Sequence, residues 1–406
     1  MNTHNESRRR FLGYLLASPL CAPIAKLANA AELLDELISS PEEALNVFDF
    51  EAVARREMSP AHFGYLQTGV DGDLTLRANR EAFKRYQLRA RRLIDVRRVD
   101  MGVRLLGTDW DSPIVLSPVA SQRAFHPEGE IAVARAARAR KHLLMYSTVS
   151  TASIEEVTEA RQAPVWFQLY PTDQWRVAQA LVKRAERAGS PVLVLTVDLQ
   201  GGSNRETMLR AQRRDPAQCT DCHEGGVYSS LRSFVANKPM LNGLDLSGVV
   251  TTVAPDMTWE YIARLRDVTS MKIVIKGIVT GEDAELAVEH GADGIMVSNH
   301  GGRGTESGRA AIECLAEVVE GVGGALPVLV DSGFRRGTDI FKALALGATA
   351  VGIGRPYIWG LGAFGQPGVE VVLDLLRREL RTVMRQAGTL SISDISPSYL
   401  VDRGSY

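Results

Sequence analysis

The stretch Gly294-Ile295-Met296-Val297-Ser298-Asn299-His300-Gly301-Gly302-Arg303 decides how this chain folds. Its first four residues form an unbroken apolar run, the pattern of a short strand buried on both faces. The next six turn polar at once and place a histidine and an arginine three residues apart on the following loop. A base beside a fixed cation is what a site needs to take a proton from a small acid while holding its carboxylate. A lone histidine on a polar loop is more often structural. Here that reading is outweighed, because the other strand ends carry polar groups as well.

Outward from this strand, similar runs recur: Pro113–Ser117, Leu143–Ser147, Val165–Leu169, Val192–Val197, Lys272–Ile275, Pro327–Val330 and Ala350–Ile353. Amphipathic helical patterns such as Glu128–Arg140, Trp175–Ala188, Asp283–His290 and Gly337–Leu346 separate most of them. Eight such units predict an α/β (β/α)8 TIM barrel with an N-terminal helical extension; a doubly wound open sheet is the alternative. No Gly-x-Gly-x-x-Gly follows an early strand, which counts against a dinucleotide fold. The period breaks once, in a long polar segment between Val197 and Lys272. A loop of that length is usually functional, and in a barrel it is the fourth strand-to-helix loop, on the catalytic face, with residues 199–257 inserted.

Each strand end then supplies a polar or special residue: Pro118-Val119-Ala120, Ser147, Gln168 with Tyr170, Thr196 with Asp198, Lys276, Ser298-Asn299-His300, Asp331-Ser332-Gly333-Phe334-Arg335, and Gly352-Ile353-Gly354-Arg355. In a barrel these positions meet at one mouth. Glycines after strands seven and eight, with Arg335 and Arg355 beside them, predict a phosphate site. Opposed by Gln168, Thr196, Ser147 and Lys276, that site suits a phosphorylated heteroaromatic cofactor, although the glycine and arginine pattern alone also suits a sugar phosphate.

The 406 residues are 45% hydrophobic and 23% charged, an ordinary globular composition, and the net charge of -1 gives no global field for nucleic acid or an anionic membrane. The dense arginines from Arg77 to Arg104 read as a solvated helix face. At the start, Arg8-Arg9-Arg10-Phe11, an apolar stretch from Tyr14 to Ile24 and Ala28-Asn29-Ala30 resemble a twin-arginine export signal over 1–30, with the mature chain, 31–406, forming one domain in a bacterial periplasm. The apolar stretch is too short and too broken by Pro19 and Pro23 for a membrane span.

From about Phe63 to Leu400 the chain resembles the FMN-dependent L-2-hydroxy acid oxidases and dehydrogenases, which include glycolate oxidase, lactate oxidase, mandelate dehydrogenase and the flavin domain of flavocytochrome b2. The motifs that carry the resemblance are His126-Pro-Glu-Gly-Glu130, Phe167-Gln-Leu-Tyr170, Thr196-Val-Asp198, Lys276-Gly-Ile-Val-Thr280, Ser298 to Arg303, and the run from Arg335 to Ala348. The resemblance implies an FMN cofactor, a small lactate-like 2-hydroxy acid substrate and a homotetramer. It implies that His300 is the base, taking either the hydroxyl proton or the α-proton, and that Asp198 holds its imidazole. Arg303 and Arg205 would clamp the substrate carboxylate, with Tyr65 and Tyr170 bonding to carboxylate or hydroxyl. Lys276 would sit by flavin N1 and O2. Pro118, Val119, Ala120, Ser147, Gln168, Tyr170, Thr196 and Ser298 would line the ring and ribityl chain. Asp331, Ser332, Gly333, Phe334, Arg335, Gly354 and Arg355 would hold the ribityl chain and phosphate. No metal site is expected.

Three departures stand out. Val119 replaces a common Thr, Val149 replaces the bulky Trp of glycolate oxidase, and Gly304-Thr305-Glu306 follows Arg303 where relatives commonly have Gln-Leu-Asp. The second suggests a substrate of lactate size or larger. Within the long loop, Cys219-Thr-Asp-Cys222-His223 fits a covalent haem c motif, with a short-range disulfide as the other reading. The expected activity is a dehydrogenase delivering electrons to a quinone or cytochrome. Alternatives are an oxygen-using oxidase and a non-redox phosphate-binding isomerase.

Overall fold

A computed structural model describes residues 37–215 and 238–405. Eight parallel strands close into a barrel: β1 (Ile114–Leu116), β2 (Leu143–Ser147), β3 (Trp166–Leu169), β4 (Val192–Thr196), β5 (Lys272–Ile278), β6 (Gly294–Val297), β7 (Val328–Val330) and β8 (Ala350–Ile353). Each pairs with its neighbours in chain order, and β8 pairs with β1 to seal the ring. All eight expected strands are present. The fifth runs three residues further than its apolar run, because a bulge between Lys276 and Ile278 carries the pairing past Gly277.

Alternation along each strand sorts the side chains. Val115, Met145, Trp166, Val194, Val274, Met296, Leu329 and Ala350, one from each strand, meet in a buried inner cluster. Their neighbours, among them Ile114, Leu144, Phe167, Leu195, Ile275, Ile295, Val330 and Val351, belong to a larger cluster with the surrounding helices. Such side chains contribute roughly 1.5–3 kcal/mol each on burial. Both strand faces are therefore dry, which is why the sequence shows runs rather than alternation. A hairpin pairing Val103–Leu105 with Thr108–Trp110 adds Leu105 to the inner cluster. It sits at the end away from the mouth, where Trp110 stacks under Arg161.

Before the barrel, α1 (Asp49–Glu57), α2 (Pro60–Gln67) and α3 (Leu74–Glu81) form the expected helical extension. The expected arginine-rich helix face holds only as far as a 3-10 turn at Ala82–Lys84. Beyond it, Tyr86–Leu88 pairs antiparallel with Leu400–Asp402, and Arg85 binds Asp402 at 2.6 Å. The arginines past that point are spaced for edge contacts and loops, not for one helical face. The helix after β8 spans Arg355–Ala387 and is broken at Phe364 and Gly365, where φ and ψ leave the helical region just before Pro367.

Candidate active site

Two residues beyond each inner apolar side chain, the same alternation brings Ser117, Ser147, Gln168, Thr196, Lys276, Ser298, Asp331 and Gly352 inward at the strand ends. They form a polar ring above the dry layer. Ser147 Oγ donates to Gln168 Oε1 at 3.0 Å, and Gln168 Nε2 donates to Thr196 Oγ1 at 3.0 Å. On the other side Lys276 Nζ donates to Ser298 Oγ at 2.9 Å, Ser298 Oγ to Asp331 Oδ1 at 2.6 Å, and Ser117 Oγ to Asp331 Oδ2 at 3.3 Å. Gly352 leaves the space where these meet: a Cβ there would lie 2.3 Å from Ser117 Oγ. Ser117 was not singled out from the sequence. Counting two residues on from Val115 identifies it.

Above the ring, His300 Nδ1 lies 2.7 Å from Asp198 Oδ1, and Tyr170 Oη lies 3.2 Å from His300 Nε2. Burial acts to raise Asp198, but His300 and Lys276 outweigh it and hold the carboxyl below its ordinary range. An ionised Asp198 requires a proton on Nδ1, so the Nε2 lone pair faces Tyr170 and the cavity. Burial lowers the pKa of His300 against the pull of Asp198, so the imidazole is neutral at pH 7. Burial also opposes the charge on Lys276, but Asp198 at 3.5 Å and Asp331 at 3.9 Å raise its pKa, so it stays cationic. Tyr170 is raised by burial and by Asp198, which keeps its hydroxyl protonated.

The backbone here is bent tightly. His300, Gly301 and Gly302 have φ of 59°, 70° and 77° in succession. Left-handed backbone at a histidine is uncommon. The turn is held by His300 N donating to Ser298 Oγ at 3.0 Å and Gly301 N to Ser332 Oγ at 2.9 Å. A side chain at Gly302 would meet the Leu76 backbone at 2.6 Å, so α3 packs directly on this turn.

The arginines gather at two places in one cavity of about 610 Å³, inside the roughly 300–1,000 Å³ range of small-molecule sites. Near His300, the Arg303 guanidinium lies 4.5 Å and that of Arg205 5.9 Å from the Tyr65 ring centre. Burial alone would raise the Tyr65 hydroxyl, yet Arg303, Arg205 and Lys238 bring it below its usual value. Further round the rim, Arg355 donates to the carbonyls of Leu66, Thr68 and Gly301 at 2.8 to 3.0 Å. Arg335 lies over Trp359, and its Nε is buried without a hydrogen-bond partner among the described residues. Burial and Arg80 push Arg335 down to about 9, and burial with Arg303 and Arg335 pushes Arg355 down as well.

Five cationic side chains, Lys276, Arg205, Arg303, Arg335 and Arg355, thus line the cavity, with Asp331 in its wall and Asp198 beside Lys276 and behind His300. The excess matches a phosphate dianion at the Arg335 and Arg355 end and a carboxylate at the Arg205 and Arg303 end. These residues fit a flavin phosphate with an organic acid beside it.

Most expected site residues line this cavity: Tyr65, Pro118, Val119, Ala120, Ser147, Tyr170, Arg205, Lys276, His300, Arg303, Asp331 to Arg335, Gly354 and Arg355. Gln168, Thr196 and Ser298 lie in the ring below the wall and Asp198 behind His300. Val149 is buried in the wall, next to Ser147. The motif from His126 to Glu130 serves the loops: Glu130 accepts from Gln122 N, Thr151 N and Thr151 Oγ1, joining the loops after β1 and β2. Gly304 has a local reason, since a Cβ there would lie 2.7 Å from the Asp198 carbonyl. The fourth loop does cover the mouth, through Leu199, Ser203, Met208 and Val253. No pattern in the sequence identifies these contacts, because they depend on how a long loop folds back.

A model of the FMN-dependent dehydrogenase family matches residues 54–402. Glycolate oxidase 3 of Oryza sativa subsp. indica is 40% identical over 356 residues, which cover 88% of this chain and 96% of that protein. Among solved structures, a soluble mutant of the membrane-associated (S)-mandelate dehydrogenase from Pseudomonas putida is similar with a TM-score of 0.81 at 33% identity, over 89% of this chain and 100% of that one. The fold and site define a flavin-dependent oxidoreductase barrel. The chain belongs to the FMN-dependent 2-hydroxy acid oxidase and dehydrogenase family, with FMN as its cofactor.

The relatives correct one expectation. Periplasmic placement through twin-arginine export is overturned, because relatives at 39–40% identity are plant glycolate oxidases. One of them, from Oryza sativa subsp. japonica and 39% identical, is named a peroxisomal (S)-2-hydroxy-acid oxidase. The segment 1–30 and the residues Cys219, Cys222 and His223 lie outside the described residues.

Proposed function

We propose that residues 31–406 act as one domain that oxidises an L-2-hydroxy acid, of lactate size or larger, to the 2-oxo acid. The observation that carries this reading is His300, held through Nδ1 by Asp198 at 2.7 Å and opening on the same cavity as Arg205 and Arg303. The guanidinium pair binds the substrate carboxylate and Tyr65 adds a hydroxyl, fixing the α-carbon beside His300. His300 Nε2 takes the proton released from the hydroxyl or the α-carbon, and Asp198 stabilises the imidazolium that results. Tyr170 orients the substrate oxygen and Nε2 together. When bound, FMN supplies the two-electron acceptor. Lys276 would offer it a fixed positive charge, while Pro118 to Ala120, Ser147, Gln168, Tyr170, Thr196 and Ser298 would line its ring and ribityl chain. Asp331 to Arg335, Gly354 and Arg355 would hold the ribityl chain and phosphate. Val149 in the wall leaves room for a substrate side chain.

Oxygen is the acceptor this reading favours, since the plant relatives are named oxidases. A quinone or cytochrome is the second reading, supported by the membrane-associated mandelate dehydrogenase. Aerobic turnover of L-lactate with peroxide measured against pyruvate tests both. Peroxide equal to pyruvate is expected. Turnover that requires a dye and yields no peroxide supports the second reading. Flavin that L-lactate and L-mandelate both fail to bleach anaerobically contradicts the substrate reading.

A further inference from the structure

The parts of the proposed carboxylate clamp come from distant regions of the chain. Tyr65 lies on α2, Arg205 on the fourth loop and Arg303 on the sixth. Arg205 immediately precedes the short helix α4 (Glu206–Gln212). One turn, Gly69-Val70-Asp71-Gly72-Asp73, touches both loops just after α2. Val70 N donates to Gly302 O at 2.9 Å. Asp71 N donates to Asn204 O at 2.7 Å, and Asn204 Nδ2 donates back to Asp71 Oδ1 at 2.9 Å. Asp73 Oδ1 accepts from Gly69 N at 2.6 Å, and Asp73 Oδ2 accepts from Thr207 Oγ1 at 2.6 Å. Both aspartates hold left-handed backbone, with φ of 45° and 61°. Such a conformation is strained for a residue with a side chain and persists only where neighbours fix it. Inside the cavity, Ser203 Oγ accepts from Arg205 Nε at 3.2 Å and donates to Arg303 O at 2.6 Å.

The two ends of α4 are held differently. Its C-terminal end is packed on α2, where a Cβ on Gly64 would lie 2.3 Å from Ala211 Cβ, and Ala61 N donates to Asp215 Oδ2 at 2.9 Å just beyond it. At the N-terminal end, beside Arg205, Thr207 is tied to Asp73. Loss of that bond leaves the helix docked and Asn204 still tied to Asp71, but loosens the first turn, on the other side of Arg205.

The geometry points to Asp73, acting through Thr207, as a positioning residue that sets where Arg205 meets the substrate carboxylate. This rests on the reading of Arg205 as a carboxylate partner. It assigns to the Gly69–Asp73 turn a role in substrate affinity that no motif in the sequence announces.

The test compares holoenzymes carrying Thr207→Val, Thr207→Ala, Thr207→Ser and Arg205→Lys, with L-lactate as substrate. Thr207→Val and Thr207→Ala are expected to raise KM about tenfold with kcat within about twofold and flavin content unchanged, the size of one hydrogen bond to a charged group. Thr207→Ser restores the KM. Adding Thr207→Val to Arg205→Lys raises KM by less than it does alone, because the two changes remove one interaction. If Arg205→Lys raises KM while Thr207→Val and Thr207→Ala leave it unchanged, or lose flavin with KM unchanged, the positioning role is wrong. If Arg205→Lys itself leaves KM unchanged, the clamp reading fails and takes this inference with it.

Discussion

Two adjacent layers inside the barrel follow the same alternation and have opposite chemistry. In the floor layer Val115, Met145, Trp166, Val194, Val274, Met296, Leu329 and Ala350 make dispersion contacts and nothing else. In the layer two residues on, Gln168 bonds to Ser147 and Thr196, and Lys276, Ser298, Asp331 and Ser117 bond in a second chain, beneath an open cavity. The floor is complete in itself. The mouth is not, since its cations outnumber its carboxylates and the buried Arg335 Nε has no hydrogen-bond partner among the described residues. Stability is thus concentrated in one layer and unmet charge in the next, about 7 Å along the strands.

Removing the cation from the ring is the largest disturbance of this contrast. Lys276→Met strands Asp198 and Asp331 in a buried site, at a cost of about 3–5 kcal/mol in stability. It should also slow flavin reduction by about 10²–10³-fold. Denaturant unfolding and anaerobic stopped-flow absorbance measure the two effects. If Lys276→Met reduces its flavin at the native rate, the mouth does not work through this charge.

Leu329→Ala should do the reverse. Leu329 is fully buried in the floor, so the truncation costs about 2–5 kcal/mol of stability. The KM of the folded enzyme should not change. A raised KM would mean that the layers are coupled and that the contrast is false.

Acid tests the outer end of the floor. His142, just before β2, is buried with Nδ1 2.8 Å from Ile114 O, and burial pushes it down to about 4. The folded form holds it neutral, while the unfolded chain takes up a proton near pH 6.5. Its contribution is therefore full above pH 6.5 and is lost as the pH falls to about 4, amounting to about 3 kcal/mol. Denaturation midpoints across that range should fall more steeply than in His142→Gln. The smallest effect belongs to His300. Its lowered pKa places the acid limb of kcat/KM below pH 6.5, and a limb above that value would show an imidazole stabilised in its charged form.

The barrel was legible because parallel strands buried on both faces leave continuous apolar runs, as Gly294–Val297 does, and because the polar ends of those runs converge only in a barrel. The proposed base and its neighbours were legible for the same reason: Asp198 and His300 closely follow strands, and Lys276 directly follows the apolar run of β5. What the runs hide is parity. Ser117 belongs to the ring, yet it stands out only once an inner register is assigned to β1. The aspartates of the Gly69–Asp73 turn were invisible for a different reason. Their partners, Asn204 and Thr207, lie more than a hundred positions away on a loop whose path no local pattern fixes. The arginines beyond Arg85 misled because density of charge was read as helical periodicity, whereas the chain there runs as a short edge strand and irregular backbone.

The central claim is that one mouth joins the base, the carboxylate partners and the flavin. Anaerobic mixing of His300→Ala holoenzyme with L-lactate tests it most directly. Flavin absorbance should persist, at a bleaching rate at least about 10²–10⁴-fold below that of the native enzyme, while bound FMN and its affinity stay unchanged. Bleaching at the native rate would contradict the account.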